Sequence, residues 1–560
     1  MTRELPDLDA VAARLDPVGF TGALTGAAAA LARDPLPAVR GAAELAAGNG
    51  RAVIAALVRA VGGTAAGPAE LPAKDRRYAD PAWEANAFYY LLRQQHALFA
   101  RQLRQVASGI ELEATTRRKI DFLVQQVIEA SAPVNWPWSN PRVLTKAFET
   151  GGLSLVRGAR NALRDAVTNG GMPRKTVQGR FTPGVELAVT PGTVVFRNRL
   201  IELIQYAPQT DEVFATPLLL SPPWINKYYV MDLAPGKSLV EWAVRHGHTV
   251  FVISYRNPGA DLRVVTMSDY LREGPLAALD VVQEITGAER VNLGALCLGG
   301  TLATAATAWL AARGDDRVNS LTLMNTLLDY AEPGELGVFT DEATIARLER
   351  LMRRDGYLPA ENMATTFDLL RASDLIWSYV VTTWLLGEDP APFDILAWNA
   401  DSTRMPAAMQ SEYLRALYLR NSFAQGTFEL AGERLDLAAV RQDAYVVAAE
   451  ADHIAPWASV YAGAAGLGGT VRFVLSDAGH IAGVVNPPSA RSRYRHGGSG
   501  RLPADAARWR ADATERRASW WEDWTPWIGA RAGARRTPPP TGSAAHPPLQ
   551  DAPGSYVLDV

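Results

Sequence analysis

The sequence is poor in thiols, in charge of one sign and in long apolar runs. Its 560 residues include one cysteine, Cys297. A lone thiol excludes an intramolecular disulfide framework and a zinc cluster built on cysteines, and it fits a reducing, cytoplasmic compartment. No metal site is expected. The 56 Lys and Arg residues nearly balance the 59 Asp and Glu, leaving a formal net charge of -3. The positive charge is mostly arginine and scattered, so no nucleic-acid footprint is expected. No segment supplies the roughly 20 consecutive apolar residues of a membrane span. Met1–Asp9 lacks the basic region and apolar run of a secretory signal. The Ala-rich stretch Ala23–Ala32 is too short to span a bilayer and is expected to form a buried helix.

What is present is ordinary for a globular protein: 48% hydrophobic and 21% charged residues. The chain is too long for one core, which predicts two or more domains. Residues 1–185 read as a helical N-terminal domain. Phe88–Leu92 and Ile120–Ile128 carry helical patterns, and 62–72 is a linker rich in Gly, Ala and Pro. From about Gly192 short apolar runs alternate with helical stretches. Strands are expected at Val194–Phe196, Leu203–Tyr206, Leu218–Leu220, Val250–Ile253, Val291–Leu293, Leu321–Met324, Ala444–Val447 and Val471–Leu475. Strands separated by helices imply a mostly parallel sheet covered on both faces. This α/β domain is expected over 186–535. A helical, Trp-bearing insertion at about 330–433, with Trp377, Trp384 and Trp398, interrupts it and reads as a cap. Residues 536–560 are rich in Pro, Gly and Ala and read as an extended tail.

The run Val291-Asn292-Leu293-Gly294-Ala295-Leu296-Cys297-Leu298-Gly299-Gly300 combines a strand, a sharp turn and a helix of small residues. It has the form of a nucleophile elbow with a thiol in place of serine. An α/β-hydrolase orders its catalytic groups as nucleophile, acid, histidine. Asp452 and His480 follow in that order, each just past a predicted strand, where open α/β sheets place their sites. Each has a plainer alternative. A buried Cys is commonly a packing residue, Asp452 could cap a helix, and His480 could be a satisfied core histidine. Glu450 and Asp329 compete for the acid. His453 adjoins Asp452 but is badly placed to pair with it and reach Cys297, which leaves it a structural role.

Several longer motifs resemble those of polyhydroxyalkanoate (poly-3-hydroxybutyrate) synthases. They are Leu220-Ser221-Pro222-Pro223-Trp224-Ile225-Asn226-Lys227-Tyr228-Tyr229, Ser254-Tyr255-Arg256-Asn257-Pro258 (Tyr for the family's Trp), Asp452-His453-Ile454-Ala455-Pro456-Trp457 and the stretch Gly479–Pro488. Arg76–Trp83 and Gly554–Leu558 carry the resemblance toward both ends. One departure is Ala295, where the family box has Gly, so a positive φ there would strain the turn.

The resemblance implies an α/β-hydrolase-like fold with an inserted helical cap and a helical N-terminal domain. It implies an acyltransferase that takes (R)-3-hydroxyacyl-CoA, carries the acyl group on Cys297 and releases CoA as polyester grows. No cofactor is implied, since CoA belongs to the substrate. A homodimer is implied, at the surface of cytoplasmic polyester granules and in contact with granule-associated proteins. An unperturbed thiol, with a pKa of about 8.5, is mostly protonated at neutral pH. His480 would take its proton and Asp452 would orient the imidazole. Either could then activate the 3-hydroxyl. The oxyanion is expected to rest on the backbone N–H groups of Leu298 and of the Trp224–Asn226 loop, at Ile225. Transfer between thioesters keeps the acyl group activated, which favours chain growth. A Cys-dependent thioesterase or lactone hydrolase, and a non-catalytic granule scaffold, are the alternatives. Arg256 reads equally as a CoA contact or as half of a structural ion pair.

Overall fold

The computed structural model describes residues 16–72, 75–177 and 179–559. The leader reading of Met1–Asp9 lies outside them. The chain divides into two compact units. One holds the residues up to 178 together with Thr365–Pro392; the other holds 179–364 and everything from Phe393 on.

The first unit is helical: Phe20–Arg33, Leu36–Ala60, Ala87–Ser108, Ala114–Ala130, Pro141–Glu149 and Leu153–Thr168. Polar residues start these helices by accepting from otherwise unpaired N–H groups. Asn86 caps Phe88 and Tyr89, and Asn140 caps Arg142 and Val143 just before Pro141 opens its helix. The Ala-rich segment is helical, but only Ala23 and Ala27 are buried. Its methyl groups cover one narrow stripe rather than filling a core.

Thr365–Pro392 belongs here and not to a single cap over 330–433. Gly158 lies so close to this segment that a Cβ would stand 1.9 Å from the Trp384 carbonyl oxygen. Trp384 Nε1 donates to Asp165 at 2.8 Å, Asn161 donates to the Thr383 carbonyl at 3.0 Å, and Lys175 pairs with Asp368 at 2.5 Å. The insertion therefore splits. Trp377 and Trp384 go with the N-terminal helices, while Trp398 stays with the second unit. The unit boundary falls at 178/179 rather than at 185.

The second unit is built on an eleven-stranded sheet. From one edge to the other its strands are Thr514–Arg516, Tyr494–His496, Val471–Ser476, Asp443–Ala449, Val318–Met324, Val291–Leu296, Leu218–Ser221, Val250–Tyr255, Ile201–Tyr206, Gly192–Arg197 and Gln550–Asp551. The six from Val471–Ser476 to Val250–Tyr255 are parallel; the outer ones are antiparallel. All eight strands expected from the apolar runs are present.

The central strands are buried on both faces, so they read as continuous apolar runs. Alternate side chains still go to opposite sides. Leu219, Phe251, Ile253, Leu293 and Ala295 join one core cluster; Leu218, Leu220, Val250, Val252 and Leu296 join the other. Helices Ala277–Thr286 and Leu298–Ala312 help cover the first face, and Trp520–Gly529 the second. After Leu218–Ser221 the chain forms the strand on one side, then crosses to Val291–Leu296 on the other. This reversal opens a crevice at the strands' C-terminal ends, the place where such sheets bind ligands.

The tail is ordered against the sheet, not free. Arg535–Arg536 pairs with Val213–Phe214, and Gln550–Asp551 adds the edge strand beside Gly192–Arg197. Beyond it the Ser555 and Tyr556 N–H groups donate to the buried Glu202 carboxylate, and Lys227 Nζ donates to the Val557 carbonyl at 3.0 Å. Among the described residues no helix is long and apolar enough to cross a membrane.

Candidate active site

Strand Val291–Leu296 ends at Cys297, and helix Leu298–Ala312 begins one residue later. So abrupt a turn leaves Cys297 with φ 50° and ψ -122°, a conformation that costs on the order of 1–3 kcal/mol for a residue with a Cβ. The strain therefore sits on the thiol-bearing residue. Ala295 is absent from the positive-φ residues and lies fully buried within the strand, so its methyl group is accommodated. The Cys297 N–H donates to the Met324 carbonyl at 2.8 Å, which ties the elbow to the adjacent strand.

Small residues after the thiol let the helix start close to its neighbours. A Cβ on Gly299 would stand 2.3 Å from the Ser221 carbonyl oxygen and 2.5 Å from that of Pro222, and one on Gly300 would stand 2.0 Å from Thr326 Oγ1. Gly299→Ala should cost about 1–3 kcal/mol, because two backbone carbonyls must move. Urea unfolding at equilibrium checks this, and an unchanged midpoint would contradict it.

Asp452 and His480 follow strands Asp443–Ala449 and Val471–Ser476, which are neighbours in the sheet. That adjacency brings two residues 28 positions apart into contact: Asp452 Oδ2 lies 2.6 Å from His480 Nδ1. The Asp452 carboxylate is wholly buried and the imidazole nearly so. Asp452 Oδ1 accepts from the Ile454 and Ala455 N–H groups at 2.8 and 2.9 Å. The carboxylate thus has the turn-capping role as well as the imidazole contact. On its other side the His480 ring is close enough to Cys297 for the thiol to act on its pKa. Burial pulls the imidazole pKa down, but Asp452 and Cys297 outweigh it and hold the pKa well above the usual histidine value.

The competing acids are engaged elsewhere. Glu450 pairs with Arg510, and Asp329 accepts from the Asn421 side chain and the Ala331 N–H. Asp452 gives its free oxygen to His480, not to its chain neighbour His453. Arg256 forms an ion pair with Asp261 at 2.9 Å.

The two residues expected at an oxyanion hole flank the elbow. Leu298 is the first residue of its helix, so its N–H has no intrahelical acceptor. Ile225 lies on the loop following Leu218–Ser221, and that strand pairs with the nucleophile strand through Ser221 and Ala295. The loop is pinned from the cap side: Thr403 Oγ1 donates to the Trp224 carbonyl at 2.6 Å, and Trp398 Nε1 to that of Lys227 at 2.8 Å.

Four residues beside the thiol escaped the sequence reading: Asn325, Tyr330, Tyr413 and Tyr418. With Cys297 they line one small cavity. Asn325 follows strand Val318–Met324 at φ 45°, and its amide donates to the His480 carbonyl. A non-Gly residue at a strand end was the only local hint. The tyrosines carry no motif, since what unites them is convergence in space.

Comparison with known proteins places these features. Residues 74–243 match the family described as the N-terminus of poly-beta-hydroxybutyrate polymerase (PhaC), and residues 238–487 match the α/β-hydrolase fold. The chain is 41% identical over 541 residues to the poly(3-hydroxyalkanoate) polymerase of Methylorubrum extorquens, covering 96% of this chain and 89% of that one. It is 42% identical over 506 residues to the poly(3-hydroxyalkanoate) polymerase subunit PhaC of Rhizobium meliloti (90% and 82% covered). With the corresponding subunit of Cupriavidus necator it shares 41% over 493 residues (87% and 83% covered).

Proposed function

The chain belongs to the poly(3-hydroxyalkanoate) polymerase family and is an acyltransferase that makes polyester from hydroxyacyl-CoA, and from that premise we propose that Cys297 carries the growing acyl chain, with His480 as its base and Asp452 as the group that orients His480. The observation that carries this assignment is the buried Asp452–His480 pair, whose imidazole is electrostatically coupled to the thiol of a strained elbow.

The chemistry proceeds in two transfers. In loading, the Cys297 proton passes to His480 Nε2 while Nδ1–H stays on the Asp452 carboxylate. The thiolate adds to the CoA thioester, the carbonyl electron pair moves onto oxygen, and the Leu298 and Ile225 N–H groups receive that charge. Collapse expels the CoA thiolate, which takes the proton from His480. The new bond is again a thioester, so little free energy is lost. In elongation the 3-hydroxyl of another unit attacks a thioester carbonyl and must lose its proton. His480 is the base coupled to the sulfur, and Asp452 acts through it. An ester forms, a thiol is regenerated, and the exchange of thioester for ester drives growth. The thiol, imidazole and carboxylate suffice for both transfers, so the mechanism calls on no cofactor.

The substrate taken here is the (R)-3-hydroxyacyl thioester. Because its polyester product leaves water, the enzyme is placed at the surface of the cytoplasmic granule that the product forms. The homodimer and contacts with granule-associated proteins rest on family membership.

The test is turnover of 3-hydroxybutyryl-CoA and of a longer 3-hydroxyacyl-CoA, with CoA release and product solubility both followed. Insoluble polymer with one CoA released per unit is expected from at least one substrate, and acyl-bearing Cys297 should be recovered in the digested protein. Stoichiometric free hydroxyacid would instead identify a hydrolase.

A further inference from the structure

Helix Ala407–Tyr413 does not continue as an α-helix. Leu414–Leu419 is a turn of π-helix, in which the Arg420 N–H donates to the Arg415 carbonyl at 3.2 Å. The consequence falls on Tyr413 and Tyr418. At 3.6 residues per turn, residues five apart point about 140° away from each other. Bonding from i to i+5 stacks them on nearly one face, and π-turns of this kind recur at functional sites. Here both tyrosines line the cavity that contains Cys297. Their rings meet edge to face, with centroids 5.5 Å apart, and Tyr418 meets Tyr330 in the same way at 4.8 Å.

One of the three phenols has its proton committed. Thr301 Oγ1 donates to the Leu327 carbonyl at 2.7 Å, so its proton is committed and the Tyr330 hydroxyl, 3.0 Å away, donates to it. The Tyr413 and Tyr418 hydroxyls take no part in that bond. Burial, reinforced by Cys297, holds all three phenols above the usual tyrosine range, so each keeps its proton. Tyr413 and Tyr418 are neutral donors in the wall around the sulfur.

The same cavity wall includes an acceptor, Asn325. Asn325 is fully buried, and its orientation is fixed because its NH2 must donate to the His480 carbonyl. That leaves Asn325 Oδ1 buried with no partner. Buried polar atoms are nearly always satisfied, and an exception inside a site points to a missing ligand. A wall offering both donors and an acceptor matches a hydroxyl group, which both accepts and donates. Ile454 and Ala455 line the rest with apolar atoms.

We propose that Tyr413 and Tyr418, aligned against Cys297 by the π-turn, together with Asn325 Oδ1, form the pocket that recognises the 3-hydroxyl of the acyl unit carried on the sulfur. The proposal rests on Cys297 as acyl carrier. Its chemical content is selection for a 3-hydroxyacyl group over the same acyl group without the hydroxyl. A site built to hydrogen-bond a hydroxyl rejects the analogue that lacks it, because its own buried polar groups are then left unpaired.

The experiment measures single-turnover loading of the full-length protein with 3-hydroxybutyryl-CoA and with butyryl-CoA, read as CoA released and as acyl-Cys297 by mass. The wild-type protein should prefer the hydroxy ester by at least about tenfold. In Tyr413→Phe and Tyr418→Phe that preference should fall about tenfold, with more of the loss on the hydroxy ester. Equal losses on both esters would mark the phenols as packing groups and overturn the proposal, as would an unchanged preference. The wild-type comparison alone decides it if either variant misfolds: equal loading of the two esters overturns it. No acyl group on Cys297 from either ester would overturn the carrier assignment itself, whereas acyl-Cys297 with equal loading overturns only the pocket.

Discussion

Cys297→Ala should abolish CoA release from 3-hydroxybutyryl-CoA, with a loss of at least about 10⁴-fold, because the step is covalent and no second thiol exists to replace the first. Stability should change little by comparison. The side chain is only partly buried at the junction of the two core clusters, and alanine can occupy the same backbone conformation with the same Cβ. A variant with a native unfolding transition and no CoA release therefore isolates chemistry from folding. CoA release at the wild-type rate in such a variant would remove the thiol from the mechanism.

Asp452→Asn should be nearly as damaging, and unequally so for the two transfers. Asp452 accepts on both oxygens: two backbone N–H groups on Oδ1 and the His480 ring on Oδ2. An asparagine must keep its carbonyl toward the backbone donors, which turns its NH2 toward His480 Nδ1. The imidazole then holds its proton on Nε2, the nitrogen that has to receive one. This wrong-tautomer penalty reaches about 10⁴ in related triads. The thiol suffers less than the alcohol. A cysteine is a few per cent thiolate at neutral pH without help, whereas a 3-hydroxyl has no comparable population of alkoxide. Elongation should therefore fall further than loading, which single-turnover CoA release and steady-state polymer growth separate. Equal losses in the two measurements would mean that the base is needed alike for both, and that the alcohol is activated by some other group.

The two predictions touch residues that the sequence made visible, for a reason that can be stated locally. Cys297, Asp452 and His480 each sit within a few residues of the end of a strand, and strands announce themselves as short apolar runs bounded by polar or small residues. Gly299 and Gly300 mark the close approach of the elbow helix in the same local way. Motif order then orders the site, because the sheet brings strand ends together at one edge. The sheet core was legible for the same reason, while the edge strands Tyr494–His496, Thr514–Arg516 and Gln550–Asp551 were not. They are two or three residues long, and apart from Tyr494 their side chains are exposed or half-buried, so they carry no apolar pattern to read.

By itself the sequence determined the α/β core, the elbow and the order of nucleophile, acid and histidine, since each is encoded within a few consecutive residues. Only the tertiary structure decided that Thr365–Pro392 leaves the cap to pack on Leu153–Thr168, that the tail closes the sheet edge, and that Tyr330, Tyr413, Tyr418 and Asn325 surround one sulfur. Those outcomes depend on contacts between residues far apart in the chain and, for Tyr413 and Tyr418, on one extra residue in a helical turn. Propensity and periodicity describe a residue's neighbours in sequence. Packing against distant surfaces selects its neighbours in space, and at this site those are the groups that meet the substrate.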